Sequence, residues 1–296
     1  MVGRDSITVS GKVAYILTMR RTRFDRALQE RLAARGWVAK MVNPLLLSKN
    51  DLMCAELLVN RIPPSAVYKS GRLVVAKAMK LLSEAEDAQI ATFPSLHTSH
   101  ADYSKYNAYR LMRADGVPTP LTRLCPSRPS RVPRLPVIVK PNTSGFGRRV
   151  RLIRSKREWR KFSENAPASL KRGMVLQSFV KSKCEYDFRV TVLHGATIEV
   201  RRRTLLHGWL GCESRGARAW VDLAAPEAVI CLALRASDAI QAGLNAVDIV
   251  LSKKGPFVIE NNATPALSAV PDRELVLIAE RVVGDLLSTR IGGGRS

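Results

Sequence analysis

An α/β fold divided into lobes is what this sequence predicts, and three observations predict it. Near the N-terminus an apolar run, an amphipathic helix and a second apolar run follow one another, the order that lays helices on a sheet. Near the C-terminus two β-rich runs flank a turn signal and read as a hairpin. The 296 residues, 46% of them hydrophobic, suffice for the cores of two or three compact lobes.

Taken in order, Lys12–Thr18 is the first strand. Phe24, Leu28 and Leu32 share one face of a helix that ends at Gly36, and Trp37–Val42 is the next strand. Arg128–Pro136 reads as a loop, with four prolines from Pro126 onward. Leu135–Val150 is a short apolar strand ending in Lys140, followed by a loop with Gly145 and Gly147 and then by arginines. Ser155 and Glu158 form a capping box for a helix that buries Trp159 and Phe162. Pro226 opens, and Gly243 closes, a helix with Val229, Ala233, Ala236 and Ile240 on one face.

The hairpin, Ala246–Leu267, carries the chemistry. Ala246–Leu251 and Phe257–Asn261 flank Ser-Lys-Lys-Gly-Pro, so a register centred near Lys254 sets Asp248 opposite Glu260. Alternation adds Asn262 to that face and turns Ile249 and Ile259 the other way. Opposed carboxylates destabilise a hairpin unless positive charge lies between them. All-oxygen ligands suit magnesium, which completes its shell with water and substrate phosphates. The pattern points to a divalent cation and a phosphate donor; an acidic pair on a solvated hairpin is the plainer alternative.

Upstream, Gly145 and Gly147 would let backbone N–H groups approach phosphate oxygens, and Lys140 would neutralise one of them. The lysine precedes the glycines, so this is no Walker loop, and no Gly-x-Gly-x-x-Gly follows a strand. A glycine turn in a basic hairpin is the alternative here.

The order and spacing of these pieces resemble the ATP-grasp ligases, in particular the RimK-type branch, over nearly the whole chain. Tyr103–Thr122, with a lysine heading a helix and a Gly-Val-Pro-x-Pro-x-Thr exit, looks like the family's linker into the nucleotide domain. By similarity Lys105 and Lys140 touch the ATP phosphates. Val175–Val180 is similar to the strand that holds adenine, implying Gln177, Ser178, Phe179 and Val180 at the base. Asp187 and Arg189 match the family's Asp-x-Arg, with Asp187 at the ATP site, and Arg202 matches the arginine opening the next segment. Asp248, Glu260 and Asn262 match the metal ligands, followed by Pro265 and Leu267. The chain departs from the family at Trp209, Leu210, Gly211 and Cys212, where an Arg-x-Asn usually follows an aromatic. Arg201, Arg203, His207 or Arg215 could supply a replacement charge.

The resemblance implies an ATP-grasp fold: a Rossmann-like pre-ATP-grasp lobe over residues 1–102 and an ATP-grasp domain of two α+β lobes over 103–290; the Gly-rich composition of 291–296 reads as a disordered tail. It implies ATP and magnesium or manganese, as two ions. The activity implied is carboxylate–amine ligation through an acyl phosphate, with Lys105, Lys140 and Arg202 stabilising the transferring group. His194 and His207 are candidate general bases, though a lone histidine in a strand or loop is more often structural.

The charge balance sets the expected partners. There are 48 basic and 25 acidic residues, a net charge of +23, and Leu121–Lys161 holds 13 Lys/Arg against the single acid Glu158. Such a field concentrates anions, so the carboxylate substrate is expected to be an acidic metabolite, peptide or carrier protein, joined to an amino acid or another amine. Solubility is the plainer account of the charge. A nucleic-acid partner is disfavoured because interleaved aromatics and a recognised motif are both missing. An ATP-binding regulator that has lost turnover is the alternative suggested by Leu210 and Cys212. No apolar run reaches the ~20 residues of a membrane span, and the start lacks a signal-peptide core, so a cytoplasmic enzyme is expected, as a homo-oligomer. The five scattered cysteines read as free, mostly buried thiols, with no Cys-x-x-Cys to hold zinc.

Overall fold

The computed structural model describes residues 11–126, 132–168, 171 and 173–292. It divides into two compact units: residues 1–62, 76–93 and 266–296, and residues 63–75 with 94–265.

The first unit contains β1 (Val13–Leu17), α1 (Arg23–Ala33), β2 (Val38–Val42), α2 (Lys49–Met53) and β3 (Leu57–Asn60). α3 (Ala66–Lys69) belongs to the second unit, α4 (Arg72–Asp87) runs from the second into the first, and β4 (Ala91–Phe93) is back in the first. The strands form one parallel sheet in the order β2-β1-β3-β4. β3 is buried throughout and β1 nearly so, as expected of parallel strands covered on both faces. Thr22 and Asp25 form the capping box that starts α1, and Phe24, Leu28 and Leu32 are its buried face as predicted. α1 stops at Ala33, and Gly36 takes the left-handed conformation at φ 79°.

The second unit continues with α5 (Leu96–Asp102), α6 (Lys105–Ala114), β5 (Thr122–Leu124), β6 (Val137–Pro141), β7 (Arg151–Ile153), α7 (Lys156–Asn165) and β8 (Met174–Ser178). Its first sheet is antiparallel, ordered β5-β8-β6-β7. α7 lays Trp159 and Phe162 on Val137, Val139, Ile153 and Leu176. Each such side chain, fully buried, stabilises by roughly 1.5–3 kcal/mol. Only half of the expected capping box forms: Ser155 accepts from Glu158 N at 3.2 Å, but Glu158 Oε2 accepts from Arg154 N, one residue before the cap. Of the proline loop, residues 127–131 lie outside the described residues.

β9 (Tyr186–Leu193), β10 (Ala196–Leu206), β11 (Leu210–Gly211), β12 (Ala219–Val221), α8 (Glu227–Ala239), β13 (Leu244–Ser252) and β14 (Gly255–Asn262) complete the unit. The second sheet is ordered β11-β10-β9-β13-β14, with β12 also on β10. α8 packs Val229, Ala233 and Ala236 against Phe188, Val190, Val247 and Ile249. Pro226 caps α8 as predicted, but the helix ends at Ala239, and Gln241, not Gly243, takes the positive φ, 52°. Covering one sheet face dictates the other: with Phe188, Val190, Val247 and Ile249 inward, Asp187, Arg189 and Asp248 must point away. The last helix, α9 (Asp272–Gly292), belongs to the first unit, packs on α1, and extends into the stretch expected to be a tail.

Among the described residues no helix is long and apolar enough to cross a membrane.

Candidate functional site

A cleft with a cavity volume of about 100 Å³ opens between the two sheets of the second unit. Its walls include Lys105, Lys140, Gly145, Gly147, Gln177, Ser178, Phe179, Val180, Asp248 and Glu260, all singled out from sequence. Asp187, Arg202 and Asn262 are not among its lining residues.

The predicted pairs form, Asp248 with Glu260 and Ala246 with Asn262, but next to the turn the register differs by one from the expected centre near Lys254, with Ser252 opposite Gly255 and Leu251 opposite Pro256. A bulge then intervenes, since Ile249 pairs with Val258, leaving Ile259 as the extra residue. Ile249 points to the core as expected, whereas Ile259 lines the cleft and its carbonyl accepts from Lys140 Nζ at 3.0 Å. Asn262 is held through its backbone N–H to Asn245 Oδ1 at 3.1 Å, and its amide donates to Ala246 O at 3.3 Å.

Positive charge does lie against the opposed carboxylates. Arg189 makes a two-pronged contact with Asp248, Nε to Oδ1 at 2.7 Å and Nη2 to Oδ2 at 2.9 Å, and Arg203 Nη2 reaches Oδ2 at 3.1 Å. Burial pushes the Asp248 carboxyl up, but the two guanidiniums outweigh it and hold the pKa below the usual range. Lys105 Nζ lies 3.1 Å from Glu260 Oε1. Against burial, Lys105 and Lys140 likewise hold Glu260 low. Lys140 itself is brought down to about 8 by burial, a shift that Glu260 opposes.

Lys105 is aimed by its helix start. Ser104 caps α6 by accepting from Asn107 N at 3.2 Å, and Asn142 Oδ1 accepts from Tyr106 N at 2.9 Å. The helix is thus tied to the chain just after β6, and Lys105 Nζ donates to Ser144 O at 3.0 Å. On the same side, the buried Asp102 accepts from Ala263 N at 2.9 Å and Thr264 Oγ1 at 2.7 Å, and burial raises its pKa to about 6.

Arg202 is the correction. Its guanidinium pairs with Asp222 Oδ2 at 2.7 Å and covers the Tyr186 and Phe188 rings, on the core side of the sheet. A two-residue turn at His194-Gly195, both with positive φ, joins β9 to β10, and this alone would set Asp187 opposite Arg202. A register shift between Thr197 and Glu199 moves the pairing by one, so Arg203 stands opposite Asp187. Arg203 is buried and grips Asp187 with Nε at 2.9 Å and Nη2 at 2.7 Å. Asp187 is sealed beneath Gly211, where an added Cβ would meet its Oδ2 at 2.1 Å. Burial raises Asp187 to about 6 in spite of Arg203. The counted period of the β9–β10 hairpin would have found Arg203 only if the bulge were known.

The two loop glycines have packing reasons. A Cβ on Gly145 would lie 2.8 Å from Ser65 Cβ, and one on Gly147 would lie 3.1 Å from Cys212 Sγ. Of the proposed replacement charges, Arg203 reaches Asp248, Arg215 donates to Gly147 O at 3.1 Å, and Arg201 pairs with Glu213. His194 and His207 both sit in His-Gly turns and do not line the cleft. All five cysteines are free, but only Cys125 and Cys212 are buried; Cys54 and Cys231 are exposed, against expectation.

Two carboxylates and an amide on one hairpin face are a hard-oxygen donor set that fits magnesium or manganese. Among the described residues no group of three or more His, Cys, Asp or Glu could hold a metal. Any cation would therefore complete its shell from Asn262, water and substrate oxygens, as magnesium commonly does.

Comparison with known proteins follows the same lines. The RimK-like ATP-grasp domain model matches residues 104–285. The chain is 29% identical to a "Probable alpha-L-glutamate ligase 2" of Shewanella denitrificans over 170 residues, 53% of this chain and 54% of that protein. A "Probable alpha-L-glutamate ligase" of Shewanella halifaxensis is 28% identical over 130 residues, 43% of this chain and 28% of that one. The chain thus spans about half the length of the curated relatives it matches, or less. A RimK domain ATP-grasp protein of Sphaerobacter thermophilus superposes with a TM-score of 0.68 at 19% identity, covering 92% of this chain and 97% of that one. D-alanine–D-alanine ligase of Bacillus anthracis gives 0.67 at 13%, covering 96% and 100%. At such identities the likeness establishes the ATP-grasp fold.

Proposed function

This chain belongs to the RimK-like ATP-grasp family, and we propose that it is an ATP-dependent ligase joining a carboxylate to an amine. The observation that carries the reading is the meeting in one cleft of the Asp248–Glu260 pair, Lys105, Lys140 and the Gln177–Val180 segment. A carboxylate oxygen of the substrate attacks the γ-phosphorus of ATP, the bond to the β-phosphate oxygen breaks, and ADP leaves. The amine then attacks the acyl carbon, phosphate leaves with the former carboxylate oxygen, and the amine proton passes to solvent.

The residues act by position and charge, so no covalent protein nucleophile is needed. Gln177–Val180 would hold the base, and Lys105 and Lys140 would meet the phosphates. Asp248, Glu260 and Asn262 would hold a divalent cation, which when bound supplies charge neutralisation at the phosphates. Arg203, buried beside Asp187 and Asp248, acts with Arg189 to keep Asp248 ionised and oriented. The curated relatives' names make L-glutamate the first amine to test.

The experiment is ADP release from ATP and magnesium with L-glutamate, other amino acids and a panel of carboxylates. Turnover should fall at least ~100-fold in Glu260→Gln and Asp248→Asn. Asp248→Ala is a poorer test, because it would strand two guanidiniums. Undiminished turnover in both variants would refute the metal assignment. Nucleotide binding with no ADP release from any pairing would favour the regulator suggested by the apolar Trp209–Cys212 wall.

A further inference from the structure

Four consecutive residues at the α5–α6 junction bond to the two segments that carry the site. Asp102 accepts from Ala263 N at 2.9 Å and from Thr264 Oγ1 at 2.7 Å, just past the end of β14. The Tyr103 carbonyl accepts from Thr143 Oγ1 at 2.6 Å, and the Ser104 hydroxyl accepts from Asn142 Nδ2 at 3.0 Å. Lys105 reaches both sides, with Nζ 3.0 Å from Ser144 O and 3.1 Å from Glu260 Oε1. The junction thus joins the chain leading into the glycine loop to the hairpin that bears Asp248, Glu260 and Asn262. Asp102 supplies the tether at the hairpin's end.

That end needs a tether. Ala246–Asn262 is the last pair of the ladder, and the Asn262 N–H goes to the Asn245 side chain at 3.1 Å, not to a strand carbonyl. Beyond it Ala263 and Thr264 are buried, and without Asp102 their N–H and hydroxyl would lose these acceptors out of reach of water. A carboxylate is a costly choice for the task. Asp102 is 5% exposed and is the last residue of α5, at the negative end of the helix, so the stability of α5 does not account for it. Asp102, Lys105 and Glu260 also line one cavity of about 20 Å³, room for a single water, which leaves the joint little slack. We propose that Asp102 is a positioning residue for the cation: by fixing Ala263 and Thr264 it holds Glu260 and Asn262 in place against Asp248 and Lys105. The inference rests on the ligase reading and adds to it a residue that itself touches neither nucleotide nor cation. Removing a group that orients metal ligands changes metal affinity by about 10–100-fold, whereas a purely structural clamp lowers stability alone.

The test uses the full chain with manganese as the probe. Free manganese is followed by its electron paramagnetic resonance signal at saturating ADP, with ADP alone as the control for ion held by free nucleotide. Asp102→Ala should weaken manganese binding at least ~10-fold, while ADP affinity without metal stays within about twofold of the parent. Asp102→Asn should recover most of that loss, because its amide can accept from Ala263 N and donate to the Thr264 hydroxyl. Thr264→Val removes one of the two bonds at constant shape and should give an intermediate loss; it decides the matter if Asp102→Ala does not fold. Unchanged manganese affinity beside a lowered melting temperature would make Asp102 a structural clamp and overturn the proposal. A loss in Asp102→Asn as large as in Asp102→Ala would overturn it too, since charge and not position would then be at work. A parent chain that binds no manganese beside ADP would sink the cation reading and this inference with it, whereas a parent that binds manganese no better than its variants sinks this inference alone.

Discussion

Replacing Arg203 by methionine removes the cation that two buried carboxylates share. Arg203 and Asp187 are both almost fully enclosed, and the guanidinium Nη2 lies 2.7 Å from Asp187 and 3.1 Å from Asp248. Breaking a buried pair by deleting one partner costs ~3–5 kcal/mol, because the charge left behind has no water. Proton uptake by Asp187, whose carboxyl burial already raises to about 6 in spite of Arg203, limits that loss at low pH, because the protonated side chain no longer needs the guanidinium. The sign with pH follows. In the variant the folded-state pKa of Asp187 rises further above its unfolded value, so the folded state binds the extra proton and loses stability as pH climbs from about 4 to that pKa. The deficit against the parent protein should therefore be smallest near pH 5 and largest at pH 8. Denaturant unfolding at the two pH values measures it, and Arg203→Met with Asp187→Asn should recover more than half of the loss. A deficit equal at pH 5 and pH 8, or none, would refute the charge argument and leave Arg203 as packing.

Two further outcomes follow from the same geometry. Gly211→Ala drives a methyl group into the Asp187 carboxylate, which Arg203 keeps from moving, so the protein should lose ~1–3 kcal/mol and bind nucleotide more weakly; an unchanged melting temperature would mean that β11 does not lie against Asp187. Lys140, brought down to about 8, should lose its charge as pH rises through that value, so nucleotide affinity should fall from pH 7 to pH 9 with proton uptake on binding near pH 8. Because its folded pKa is below the unfolded one, stability should rise with pH between about 8 and 10.5. Titration calorimetry in buffers of different ionisation enthalpy detects the uptake, and Lys140→Arg should abolish it; equal affinity at both pH values would take Lys140 away from the phosphates.

What the amino-acid sequence by itself determined is local. Asp248 and Glu260 could be paired on paper from the turn signal and the alternation, although the turn formed, with Ser252 opposite Gly255, would alone set Asp248 against Ile259, and the bulge restores the pair. Helix faces such as Phe24, Leu28 and Leu32, or Trp159 and Phe162, followed from the 3.6-residue period. The segments holding Lys105, Lys140, Gly145, Gly147 and Gln177–Val180 were legible through resemblance, because spacing along the chain survives where identity does not. The tertiary structure decided which side chain of a strand faces the cleft. A single inserted residue, between Thr197 and Glu199 in β10 and at Ile259 in β14, reverses every later assignment on that strand. No propensity announces such an insertion, since a bulge is chosen by how the whole sheet twists and packs, and so Arg203 and not Arg202 meets the carboxylates. The seating of the glycine loop is likewise tertiary: Lys69 lies over the Phe146 ring and Arg148 over the Tyr68 ring, far apart in sequence, where Gly145 lets the loop settle on Ser65.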